Sequence, residues 1–299
     1  MKAILVAIAT ASLLWACTSN SKPDDQAFLA SLDSAAANAP VIDEQVITSI
    51  LEQIPSPLET SMQLKQSGTK YDEALLNTPG NVSRYNSNFS RALNLGIYGT
   101  DLGYTNIYEQ KIDGIHYLAA IKSLAKDLGI GQYFDIETLG KLAANSKNLD
   151  SLLLITTQNF NAINQHLQNE DRANVSVLLL AGGWLEAMEI ICQVANADKS
   201  NSQLKETIGA QKIILEQLVL LLSFYESDPQ MAELSDDFKQ LQNVFETIKI
   251  TYTYKESTME IVDGVAVIKD NSTTTVDITD QNVSEIQKKV NAIRTKITS

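Results

Sequence analysis

The sequence predicts an all-α protein, a multi-helix bundle or array with a small β-hairpin or meander inserted before the last helix. Three observations carry this. Apolar residues recur at helical spacing along most of the chain after residue 41. The periodic stretches are separated by short clusters of Gly, Pro, Asn and Asp. One run near the C-terminus, "ITYTYKESTMEIVDGVAVIKDNSTTTVDI" (250–278), changes to a two-residue period rich in Thr, Val, Ile and Tyr.

The spacing predicts helices near 42–53, 57–66, 87–110, 112–128, 135–145, 148–168, 172–197, 203–226, 230–249 and 280–297. The breaks are "NTPGN" (77–81), "LGIGQ" (128–132), "NEDR" (169–172) and "SDPQ" (227–230). Asp228 before Pro229 has the form of an N-cap followed by proline at the first helical position. Within 250–278, Asp263–Gly264 stands between two β-branched runs, a strong hairpin signal.

The first residues, "MKAILVAIATASLLWACTS", pair one basic residue with a short apolar core. That is the pattern of a secretory leader rather than of a spanning helix. "LLWAC" (Leu13 to Cys17) is similar to the lipobox of bacterial lipoproteins, which implies cleavage before Cys17 and acylation of its thiol. The expected organisation is a leader over 1–16, a lipidated cysteine and tether over 17–40, and a single helical domain over 41–299 with the β insertion at about 250–278. No other segment reads as a membrane span, so the membrane is expected as a partner only through lipid on Cys17. The expected location is the outer membrane, facing the periplasm or the cell surface.

A formal net charge of −13 and a pI near 4.6 argue against nucleic acid as a partner, which needs basic patches. With Cys17 acylated, Cys192 is the remaining thiol, and its apolar setting in "EAMEIICQVA" reads as core packing. His116 and His166 are the only histidines, and no nucleophile elbow, phosphate-binding loop or zinc-protease motif is present. The nearest approach to a di-iron motif is Asp113-x-x-His116 alone. The sequence therefore points to a non-enzymatic protein with no catalytic residues, cofactor or metal.

Two segments hold the candidate site residues. In "ALNLGIYGTDLGYTNIYEQ" (92–110), Ala92, Gly96, Gly99 and Gly103 fall within an arc of about 60° on one helix face. Small residues so placed let another backbone approach, so they read as packing. Asp101 lies on the opposite, polar face with Asn94, Thr105 and Tyr108, and reads as solvated or as a cap for a neighbouring helix. In "VSVLLLAGGWLEAMEIICQVA" (175–195) almost the whole circumference is apolar, while Gly182, Glu186, Glu189 and Gln193 form one narrow stripe. The simplest reading of that stripe is a thin solvent-facing strip. If it is buried, its carboxylates need a cation or raised pKa values. A ligand-binding alternative places Asp101, Tyr104, Tyr108, Trp184, Glu186 and Glu189 around a pocket between 87–110 and 172–197. The likeness of "LGIYGTDL" (95–102) to "AGGWLEAM" (181–188) also suggests two related four-helix units. A third reading, assembly into an outer-membrane complex, expects an exposed apolar patch on the 250–278 hairpin with an edge open to a partner strand.

Four stretches, "YDEALLNTPGN" (71–81), "ALNLGIYGTDLGY" (92–104), "AGGWLEA" (181–187) and "ITYTYKE" (250–256), resemble a family of Bacteroidota cell-envelope lipoproteins with no established activity. The resemblance covers about 42–299 and implies location and helical build but no catalytic residue. "SKPDD" (21–25) resembles the acidic signal that sends some lipoproteins of that phylum to the cell surface. Asp33-Ser34-Ala35 and Asp150-Ser151-Leu152 look like its O-glycosylation motif.

Overall fold

The computed structural model describes residues 46–47, 49–50, 57–134, 149–262, 265–269 and 271–299. Cys17, the tether and the predicted helix at 135–145 lie outside the described residues. The helices are α1 (Pro57–Gln66), α2 (Asn88–Ile107), α3 (Lys111–Asp127), α4 (Leu149–Asn169), α5 (Ala173–Ala197), α6 (Ser202–Ser223), α7 (Pro229–Phe245) and α8 (Asp280–Thr298). Four strands, β1 (Lys249–Thr253), β2 (Thr258–Val262), β3 (Val265–Lys269) and β4 (Thr273–Asp277), separate α7 from α8. The fold is thus a helical bundle with a small antiparallel β insertion before its last helix.

Local chemistry sets the helix ends. Ser87 caps α2 and exchanges hydrogen bonds with Ser90 in a capping box, and Thr279 and Asn282 do the same for α8. Asp228 accepts from the Gln230 and Met231 amides, with Pro229 at the first helical position of α7. α2 stops at Ile107 rather than 110 because Glu109 takes a left-handed φ of 58°, which turns the chain into α3. Gly129, at φ 75°, closes α3: its amide and that of Ile130 bond back to the Lys126 and Ala125 carbonyls.

α5 is the axis of the bundle. It has a mean hydropathy of 1.7 and enough length to cross a membrane, contrary to the expectation that no segment after the leader is long and apolar enough to do so. Here it is enclosed instead, with α2, α8, α6, α1 and α4 packed around it. α3 covers the far side of α2, while α7 packs on α6 and α8. Burying an apolar circumference against helices on all sides supplies the hydrophobic free energy of the core.

β1 pairs with β4 and β2 with β3, so the insertion is one ribbon folded back on itself. The register runs from Lys249↔Asp277 to Thr253↔Thr273, then resumes at Thr258↔Lys269. Four residues on one side therefore face three on the other, a one-residue bulge. Asn271 bridges it by donating to the Glu256 carbonyl and the Thr258 hydroxyl. At its root the ribbon rests on α6, where a Cβ on Gly209 would overlap the Val276 side chain. The Val262↔Val265 pairing leaves the expected two-residue connection, Asp263–Gly264, which lies outside the described residues.

Candidate functional site

The glycines make a backbone contact. A Cβ on Gly96 would overlap the Leu179 carbonyl oxygen, and one on Gly182 would overlap that of Leu93. α2 and α5 therefore cross with no side chain between them, and the crossing holds no void for a ligand. Ala92 is buried beside it. Gly99 departs from the packing expectation: it is exposed, and no described residue lies against a Cβ there. The arc is wider than the contact, so its later members run off the crossing; Gly103 is half-buried.

The polar face of α2 is not solvated. Asn94, Asp101 and Thr105 are all fully buried: α8 covers Asn94, the irregular segment 71–85 covers Asp101, and Thr105 lies against Gly114 of α3. That segment contains two short 3-10 turns, Glu73–Leu75 and Pro79–Arg84. Side chains of α2 hold it along its length. The Tyr104 hydroxyl accepts from the Asp72 amide at 3.2 Å, Asp101 Oδ2 accepts from the Asn77 amide at 3.3 Å, and the Tyr98 hydroxyl donates to the Thr78 carbonyl at 2.9 Å.

The carboxylate stripe of α5 is buried too, which overturns its reading as a solvent-facing strip. Glu186 receives two 2.6 Å hydrogen bonds from Arg294 of α8, through Nε and one terminal nitrogen. That terminal nitrogen also reaches the Leu75 carbonyl at 3.3 Å. One turn along, Glu189 Oε1 accepts from Asn291 and from Gln193, both at 2.8 Å, while Oε2 meets no donor. Further on, Asn196 meets Gln287 and Ser284. Residues 284, 287, 291 and 294 thus form a polar row on α8 that runs antiparallel along the row 196, 193, 189 and 186 on α5. Beside it, Val283, Ile286, Val290 and Ile293 enter the core. The cation the carboxylates require is Arg294, which the sequence reading missed. The spacing of Gln287, Asn291 and Arg294 on one face of the last helix was the available signal.

Burial, and after it the charge of Glu186, pushes the Asp101 carboxyl well above the usual carboxylate range. Its Oδ1 meets no donor, and the Asp101 carboxyl lies within hydrogen-bonding reach of that of Glu186. Burial raises Glu189 as well, against the opposing bonds from Asn291 and Gln193. Burial opposes the charge on Arg294, but the Glu186 bonds and charge outweigh it and hold the guanidinium protonated.

The remaining sequence candidates do not converge on this centre. Tyr104 and Tyr108 stack on each other and on Tyr71 at the far end of α2, with ring centroids 4.7–5.9 Å apart. Trp184 faces α6 and α7, where it donates to Gln211 and packs on Phe238. Only Asp101, Glu186 and Glu189 share a site. Cys192 is buried as a core residue, its thiol pushed up by burial. Among the described residues no His, Cys, Asp and Glu side chains group as metal ligands.

No family model, curated protein or solved structure matches this chain.

The exposed counterpart of this buried centre is the ribbon. Met259, Ile261 and Ile268 are 72–76% exposed, and Tyr252 and Tyr254 are exposed nearer the root. Met259 pairs with Ile268, and Ile261 follows two residues on, so the three lie on one face. Both edges of the β2–β3 pair are unpaired among the described residues.

Proposed function

We propose that this chain is a cell-envelope lipoprotein, held by acyl groups on Cys17, whose helical body is a non-enzymatic interaction module. The ribbon is its contact element, and the partner is an extended strand of another protein. The observation that carries this reading is the apolar face of Met259, Ile261 and Ile268 standing in solvent on a two-stranded ribbon. An isolated hairpin is marginal in water, and a third strand would cover its edge while extending the apolar face. Insertion into a bilayer fits less well. Open strand edges carry polar groups that hydrocarbon cannot satisfy, and Glu260 sits within β2.

Two measurements test the two halves of the proposal in whole cells. Cys17→Ser should abolish labelling by a clickable fatty acid and release the protein from the membrane fraction; retained label ends the anchoring claim. Photo-crosslinkers at Ile261 and Ile268 should trap one common protein. Met259→Ser should weaken both adducts, while a probe at exposed Glu206 on α6 should not trap that protein. Equal trapping at Glu206, or no trapping on the ribbon, removes the ribbon from the reading.

A further inference from the structure

Three fully buried carboxyls, Asp101, Glu186 and Glu189, neighbour one guanidinium, that of Arg294, whose side chain is 16% exposed. Arg294 gives Nε and a terminal nitrogen to the two oxygens of Glu186 and makes no direct hydrogen bond to Asp101, whose bonded oxygen accepts from the Asn77 amide and whose other oxygen meets no donor. Two ionised carboxylates in contact away from water would repel strongly. Among the described residues, the other groups facing the pair supply no second cation. They are Tyr98 on α2, Tyr117 on α3 and Tyr85 on the 71–85 segment, with Asp72 and Glu73 at that segment's exposed start. Tyr98 and Tyr117 are held protonated, chiefly by burial.

We propose that Asp101 and Glu186 bind one proton between them, and that this proton latches the 71–85 segment over the junction of α2, α5 and α8. The helices cannot part to relieve repulsion between the carboxyls, because α2 and α5 are locked backbone to backbone at Gly96 and Gly182. The 71–85 segment is the yielding element. It is irregular, and its hold on the junction runs through the pair: Asn77 donates to Asp101, and Leu75 accepts from the arginine that Glu186 orients. Loss of the proton draws water to the carboxylates beneath the segment and loosens it. The latch is a property of the folded body and does not depend on what the ribbon binds.

The test is amide exchange across residues 74–81 of the full chain from about pH 5 to about pH 9, corrected for intrinsic base catalysis, in wild type and Asp101→Asn. Asn preserves the acceptor for Asn77 and offers Glu186 a fixed donor. Wild type should lose about tenfold or more of its protection over this range while Asp101→Asn keeps it. Parallel loss in both proteins overturns the proposal. Should the variant not fold, the infrared spectra of wild type and Glu189→Gln decide. A protonated-carboxyl C=O band that persists in Glu189→Gln and fades as the pH rises supports the shared proton, and its absence at neutral pH refutes it.

Discussion

Arg294 grips Glu186 through two 2.6 Å hydrogen bonds although 108 positions separate them, and this contact fixes the last helix against the central one. Glu186 is fully buried and Arg294 mostly so, and the value of the pair to stability shows mainly when one partner is lost. Arg294→Met should cost about 3–5 kcal/mol, because it strands the Glu186 carboxylate beside Asp101. The double variant Arg294→Met/Glu186→Leu should recover much of that loss. Urea denaturation of the single and double variants measures both effects. A single variant as stable as wild type would show that the pair contributes nothing.

The glycine crossing predicts opposite outcomes at positions that look alike in the sequence. Gly96→Ala and Gly182→Ala each drive a methyl group into a backbone carbonyl and should destabilise by about 2–4 kcal/mol. Gly99→Ala, exposed in the same helix with nothing against it, should stabilise by about 0.5–1 kcal/mol. Thermal unfolding of the three variants settles the order.

pH enters through Asp101 and Glu189, both raised chiefly by burial. In the unfolded chain these groups ionise near about pH 4. The native state therefore holds more protons than the unfolded state above that pH, and stability falls as pH rises from there through the native pKa values. The denaturation midpoint should be highest at mildly acidic pH and decline on the alkaline side. Asp101→Asn should flatten that decline and raise the midpoint at neutral pH. A lower midpoint in Asp101→Asn at neutral pH would mean that Asp101 is ionised in the native state and stabilised there.

The ribbon should be dispensable to the body. Thr253 pairs with Thr273, so replacing 254–272 by Asn-Gly closes β1 and β4 with a two-residue turn. The shortened protein should keep its stability to within about 0.5 kcal/mol. It should no longer co-purify with the protein trapped by the Ile261 and Ile268 probes, and it should become more soluble, as the exposed Met259, Ile261 and Ile268 go with the deleted strands. A large fall in stability would make the ribbon part of the core rather than a contact element.

Most of the helix boundaries were legible because they depend on neighbours in the chain. Pro229 after Asp228, the clusters between helices and the switch to a two-residue period each act within a turn or two. The candidate site was only half legible. The α5 stripe of Glu186, Glu189 and Gln193 stood out against an apolar helix, but its simplest reading is a solvent-facing strip, and a cation is one of two requirements only if it is buried. Its partner did not stand out, since helical periodicity says nothing about which distant helix supplies the opposing face.

The sequence by itself determined the helical class, the extents of most elements, the paired ribbon before α8 and the small-residue face of α2. These follow from short-range propensity and patterning. Tertiary structure alone decided that Asp101 and Glu186 are buried together, that Arg294 serves them and that the 71–85 segment covers them. It also decided that Gly96 packs while Gly99 faces solvent. Whether a polar face meets water or another helix depends on long-range packing, and the energy of a buried charge depends on which groups that packing brings within a few ångströms.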